Sequence, residues 1–192
     1  MAGIGVFPIP DMAPPGPWSP MRENGLPPAV GECPVVLIIG SFPSRLSLER
    51  QLYYANPRNQ FWRIMATLFH SLDPVDVLSA TDSLKKYRIA LWDTIASRAF
   101  QPGSMDHTLK DIVPHDIPAF IRDHPTIRCI AMNGRMARGV LIRTLHRESL
   151  PEGLKIIFLP STSPANARVS FEQKVSEWRV ITGFLDRGSV DS

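Results

Sequence analysis

The sequence predicts an α/β domain built on a largely parallel sheet of four strands, and two observations carry that expectation. Four short apolar runs, Val35–Ile39, Ile89–Trp92, Ile127–Met132 and Ile156–Leu159, are dominated by apolar, often β-branched residues. Such continuous runs suit strands buried on both faces. Between them lie stretches of helical period. Phe61, Trp62, Ile64, Met65, Leu68 and Phe69 recur at spacings of three and four in one, and Met136, Val140, Leu141 and Leu145 in another. Apolar strands alternating with amphipathic helices are the pattern of a sheet covered by its own crossovers.

In chain order, the first segment is a proline-rich tail. Nine of the 19 prolines precede residue 35, and Met1–Pro20 shows no periodicity. Residues 1–23 are therefore expected to be an extended or flexible tail, with the folded unit running from about Asn24 to residue 192. The 192 residues, 44% apolar and 20% charged, suit one domain with a sizeable core. The longest apolar runs fall far short of the ~20 residues a membrane-spanning helix needs. The start lacks a basic segment before its apolar residues, so no secretory leader is expected and the protein is read as soluble and intracellular.

Formal net charge is +3, and 16 of the 21 basic residues are Arg. Arg forms planar two-pronged contacts with phosphate, although a GC-rich coding bias produces the same excess. The two cysteines, Cys33 and Cys129, lie far apart beside apolar runs and are expected to be buried and reduced. Neither has CxxC spacing and the five histidines form no HxxxH pair, so no metal site is expected.

In parallel sheets ligands bind beyond the carboxyl ends of the strands. The informative segments are then the four exits Gly40–Ser44, Asp93–Ser97, Asn133–Gly134 and Pro160–Asn166, all polar or glycine-rich. The first, Gly40-Ser41-Phe42-Pro43-Ser44, is neither a P-loop nor a GxSxG nucleophile elbow. The segment Tyr53-Tyr54-Ala55-Asn56-Pro57-Arg58-Asn59-Gln60-Phe61-Trp62 mixes aromatic faces with amides. Aromatic faces sandwich nucleobases and amides read base edges or hold a water. Asn59 also immediately precedes the periodic helix, where Asn serves as an N-cap, so both roles stand open. Phe61 and Trp62 are expected in the core. The last exit, Leu159-Pro160-Ser161-Thr162-Ser163-Pro164-Ala165-Asn166, offers hydroxyls and amides suited to phosphate oxygens, or is an ordinary Ser/Thr/Pro loop. Residues His124–Arg147 and Leu154–Phe171 carry basic residues and no acid, which sets positive charge near two of the exits.

Taken together, GSFPS, YYANPRNQFW, ALWD, MNGR and LPSTSPANA resemble the motifs of the uracil-DNA glycosylase superfamily, and most closely its hypoxanthine-DNA glycosylase branch. The likeness covers nearly the whole chain beyond the tail. It implies a three-layer α/β/α sandwich that extrudes a damaged base and hydrolyses its N-glycosidic bond. By the same resemblance, Gly40, Ser41 and Phe42 line the base pocket, Tyr54 stacks on the extruded base, and Asp93 stands where related proteins read the base edge. Phe42 occupies the position that in many members is the catalytic Asn or Asp, and Asn59 matches the residue that takes over in the hypoxanthine branch. Ser44, Ser161, Ser163 and Asn166 are the residues implied to grip DNA. Leu159 stands where some branches carry a His or Asn that aids the leaving group. The resemblance further implies a monomer that needs no cofactor and acts on DNA containing deaminated bases, in base-excision repair.

Chemically, breaking a glycosidic bond puts positive charge on the sugar and negative charge on the departing base. An Asn cannot take the proton, but its carbonyl can orient water toward the anomeric carbon, and backbone N–H groups at Gly40–Phe42 can stabilise the base. With no Lys in any strand exit, water is the expected nucleophile. Two other readings remain: a uracil or mismatch-specific uracil glycosylase, and a non-catalytic nucleic-acid-binding domain suggested by Phe42.

Overall fold

The computed structural model describes residues 21–70, 72–99, 111–144 and 150–185. Residues 1–20 of the expected tail lie outside them, as do Leu145 and Arg147. Strand β1 (Arg22–Asn24) straddles the boundary expected at residue 24. It is followed by β2 (Val36–Gly40), helices α1 (Arg45–Arg50), α2 (Phe61–Leu68) and α3 (Val77–Lys86), and strands β3 (Ile89–Asp93), β4 (Ile95–Ala99) and β5 (Ile112–Pro114). Then come α4 (Ile117–Asp123), β6 (Cys129–Asn133), α5 (Arg135–Thr144), β7 (Lys155–Leu159) and α6 (Phe171–Trp178). A 3-10 turn at Arg179–Ile181 leads into α7 (Thr182–Leu185).

The four expected strands are β2, β3, β6 and β7. They form one sheet in the order β3-β2-β6-β7, with every pairing parallel. All five residues of β2 are buried, which is why its run is apolar without alternation. Its side chains still alternate between two cores. Val36 and Ile38 join Ile89, Leu91, Cys129 and Ala131 under residues of α2, α3 and α6. Leu37 and Ile39 join Ala90, Trp92, Ile130 and Met132 under residues of α4 and α5. Helices on both faces give the three layers that the resemblance implies.

Local signals fix the helix starts. Asp76, Asp116 and Ser170 each accept a hydrogen bond from a backbone N–H of the first turn of α3, α4 and α6. Ser170 and Gln173 complete a reciprocal capping box on α6. Phe61 and Trp62 are buried in the first core, as expected. Cys129 is buried, and burial pushes its thiol up to about 12. Cys33 is exposed, contrary to expectation. It sits in the turn before Pro34 with a left-handed φ of 45°, outside the sheet that its apolar neighbours enter.

A second sheet, order β1-β4-β5 and antiparallel throughout, was not legible in the sequence. Two of its strands are three residues long and one is the polar Arg22-Glu23-Asn24. Strand β1 finds its partner β4 only far along the chain, Arg22 opposite Ala99 and Asn24 opposite Ser97. Arg98 on β4 forms an ion pair with Glu23 on β1 at 2.7 Å, which ties the two strands together.

Candidate active site

Parallel register brings the carboxyl ends of the strands to one rim. Gly40 lies opposite Asp93, and Asn133 lies opposite Leu159. Three exits meet there as loops. Gly134, at φ 90°, donates its N–H to the Leu159 carbonyl at 3.0 Å. A Cβ at Gly134 would sit 2.8 Å from the Ser161 Cβ, so both conformation and space require glycine at this junction. The β3 exit is different from the loop expected. Thr94 and Ile95 donate their N–H groups to the Gly40 and Ser41 carbonyls, each at 3.0 Å, and the chain runs straight on into β4. This pairing holds the first exit open and in place. None of the described residues accepts a hydrogen bond from the Ser41 or Phe42 backbone N–H.

Asp93 ends β3 on the core side shared with α2. It is 4% exposed, its Oδ2 has no hydrogen-bond partner, and burial pushes its carboxyl up to about 7. Its Oδ1 lies against Gly40, where a Cβ would overlap it. The same hypothetical Cβ would lie 3.4 Å from the Tyr54 hydroxyl, which is also buried and unpartnered. Gly40 thus leaves room at a spot where an acid and a phenol converge. Burial, and next the Asp93 charge, pushes the Tyr54 hydroxyl up, so it keeps its proton. On the opposite face of β3, Trp92 Nε1 and His115 Nε2 are unpartnered too, with their rings 4.1 Å apart.

Tyr54 reaches this position through a left-handed backbone, φ 54°, an uncommon conformation for an aromatic residue. Its neighbour Tyr53 turns into the core, where its hydroxyl donates to the Pro27 carbonyl at 3.0 Å and its own carbonyl accepts from Trp62 Nε1. One face of the Tyr54 ring stacks on Phe61, with centroids 3.9 Å apart and planes 21° apart. No ring stacks on its other face among the described residues.

Asn59 is half-buried at the start of α2. Its Oδ1 accepts the Phe61 N–H at 3.0 Å while Gln60 takes the N-cap position, so the expected capping role is met one residue early. That bond uses one lone pair of Oδ1. The other lone pair and both Nδ2 hydrogens have no partner among the described residues.

Phe42 turns toward the second sheet. Its ring lies beneath the Arg98 guanidinium, 4.4 Å from centroid to Cζ, and beside Gly25. The side chain at this motif position therefore serves to hold the two sheets together. Ser44 caps α1, accepting from the Ser47 N–H at 3.2 Å. In the last exit, Ser161 Oγ accepts the Ser163 N–H at 3.2 Å and Ser163 Oγ the Ala165 N–H at 3.3 Å. Asn166 Nδ2 donates to the Ser161 carbonyl at 3.0 Å. These residues build the loop's own shape, and the serine O–H groups remain available as donors.

Four residues that sequence reasoning gave no role join the loops. Asn133 holds buried Thr162 from both sides: its Oδ1 accepts the Thr162 N–H and its Nδ2 donates to Thr162 Oγ1, each at 3.0 Å. The Thr162 carbonyl accepts the Gln60 N–H at 3.0 Å. Lys174 on α6 donates to Gln60 Oε1 and to the Asn166 carbonyl, each at 2.8 Å. Asn133 ends β6 within MNGR and was the most findable of the four. Among the described residues no group of three or more His, Cys, Asp or Glu is placed to hold a metal, and no helix is long and apolar enough to cross a membrane.

The chain is similar in sequence and fold to known proteins. Residues 28–181 match the family model described as Uracil DNA glycosylase superfamily. A protein of Methanosarcina acetivorans named hypoxanthine DNA glycosylase is 33% identical over 164 residues, covering 84% of this chain and 98% of the relative. One of the same name from Methanosarcina barkeri is 27% identical over 161 residues, covering 82% and 96%. A solution NMR structure from M. acetivorans, described as a candidate uracil DNA glycosylase, superposes with a TM-score of 0.72. It is 33% identical and covers 86% of this chain and 99% of its own. With the match running over the whole parallel sheet and every loop of the rim, the chain belongs to the uracil-DNA glycosylase superfamily.

Proposed function

We propose that the chain is a monofunctional DNA glycosylase that hydrolyses the N-glycosidic bond of deaminated bases, hypoxanthine first and uracil second. The observation that carries this reading is the pair of buried, unpartnered groups beside Gly40, the Asp93 carboxyl and the Tyr54 hydroxyl. Buried polar groups without partners are costly, and a ligand edge supplies what is missing. A neutral Asp93 offers one O–H donor and one carbonyl acceptor. Hypoxanthine and uracil each present a carbonyl next to an N–H, the complementary pair. The names of the two Methanosarcina relatives support hypoxanthine as the preferred base.

The remaining residues divide the chemistry. Tyr54, backed by Phe61, offers a ring face for the extruded base. The free lone pair of Asn59 Oδ1 orients water toward the anomeric carbon. As the bond breaks, the Ser41 and Phe42 N–H groups face the charge that gathers on the leaving base. Ser44, Ser161, Ser163 and Asn166 contact the DNA backbone at the rim. On this reading the protein works as a monomer wherever the DNA is held, and Phe42 is no obstacle because Asn59 comes from a different loop.

The test uses duplexes carrying one deoxyinosine or one deoxyuridine, with alkali to cut at abasic sites. The expected result is cleavage at deoxyinosine, slower cleavage at deoxyuridine, and none in undamaged duplex. Faster cleavage at deoxyuridine would reverse the base ranking. Tight binding with no cleavage of either would favour a non-catalytic binding domain.

A further inference from the structure

We infer that Lys174 is a positioning residue for Asn59, and this inference rests on the base-excision reading above. The side chain is 1% exposed, and no carboxylate lies within ion-pair distance of it among the described residues. It stands in the first turn of α6, just behind the Ser170–Gln173 capping box, where the helix dipole disfavours a cation. Burial, lack of an acid partner and the helix terminus all work against an ammonium at this place. An apolar side chain of the same length would be as stable or more so.

What the ammonium does instead is join two loops. It donates to Gln60 Oε1 and to the Asn166 carbonyl, so one atom clamps the residue next to Asn59 to the far end of the LPSTSPAN loop. Gln60 is held a second time through its backbone N–H, by the carbonyl of Thr162, which Asn133 in turn fixes. Trp178, one turn further along α6, donates its Nε1 to the Pro160 carbonyl at 3.0 Å and anchors the near end of the same loop. Gln60 is the N-cap residue of α2, so its position sets where Asn59 stands relative to the rim. A clamp of this kind fixes the geometry of attack without touching the substrate.

The measurement compares wild type with Lys174→Met, which keeps the stem and removes the ammonium. Under single turnover at saturating enzyme, the excision rate on a deoxyinosine duplex should fall roughly 10–100-fold, the loss that small misplacement of a reacting group produces. Affinity for the duplex should stay nearly unchanged, and the melting temperature should be equal or higher. Gln60→Leu should cost a similar factor, and the double variant should lose no more than either single one. Undiminished rate in Lys174→Met would overturn the inference, as would additive losses in the double variant. So would a rate loss matched by a lower melting temperature, or a borohydride-trapped DNA adduct that made the amine a nucleophile. If Lys174→Met does not fold, Gln60→Leu alone decides, and an unaltered rate there overturns it. A wild type that excises nothing overturns the base-excision reading itself, and this inference with it.

Discussion

Asn59→Ala should lower the single-turnover excision rate by about 10²–10³-fold, the typical cost of removing one preorganised polar group from a reacting centre. The same change should destabilise the fold by only about 1 kcal/mol, because the bond from the Phe61 N–H to Oδ1 is a single helix-start contact. Asn59→Ser separates the two contributions. A serine hydroxyl can accept the Phe61 N–H, so thermal stability should match wild type while activity stays low. Melting curves and rates measured on the same preparations check this. Full activity in Asn59→Ser would leave Asn59 as a structural residue only. The dual use is physically sensible: the bond that starts α2 also fixes the side chain while leaving one lone pair of Oδ1 unengaged.

Asp93→Asn should have the largest effect on stability. Burial raises the carboxyl from an ordinary 3.8 to about 7, so the folded protein holds a proton that the unfolded chain releases. The resulting stability is fully present below about pH 4, declines as pH rises toward 7, and is gone above it. A displacement of that size corresponds to roughly 4 kcal/mol. Asparagine does not titrate, so Asp93→Asn should flatten this decline. At pH 7.5 it should be more stable than wild type by up to that amount, and near pH 4 the two should agree. Urea unfolding at a series of pH values reads this directly. An identical pH dependence in the variant would mean that the carboxyl is solvated in solution. Activity should follow the same group. Above pH 7 the ionised acid loses its donor and repels a base carbonyl, so wild-type excision should fall. Asp93→Asn retains one donor and one acceptor and should keep a flat profile.

The central sheet was legible because strands buried on both faces are apolar, as β2, β3 and β6 are, while β7, an edge strand with Lys155 and Phe158 exposed, still carries the apolar run Ile156–Leu159. Helix α3 carries its own signals, an Asp76 cap with Ala80, Thr81 and Leu84 facing the core, yet its mixed pattern of small and polar residues is weak beside that of α2. β4 escaped notice because Ile95-Ala96-Ser97-Arg98-Ala99 has no apolar run, and its role comes from pairing across the chain. For the site, the strand exits were found from topology alone, but the roles of Tyr54, Asn59 and Asp93 came from the family likeness. The structure adds their surroundings: a left-handed Tyr54, a carboxyl wedged at Gly40, an Asn with one lone pair engaged. Lys174 could not be read from sequence. A single lysine in an amphipathic helix looks like a solvated residue, and its burial depends on Gln60, 114 positions earlier.

The most direct measurement is release of the free base. Wild-type protein would be incubated with a duplex containing a single deoxyinosine, and the small-molecule products separated and quantified by chromatography. The expected result is free hypoxanthine in equal amount to the abasic sites formed, with the DNA strand intact until alkali is added. Duplex that is bound yet yields no free hypoxanthine and no free uracil from the matching deoxyuridine substrate would contradict it.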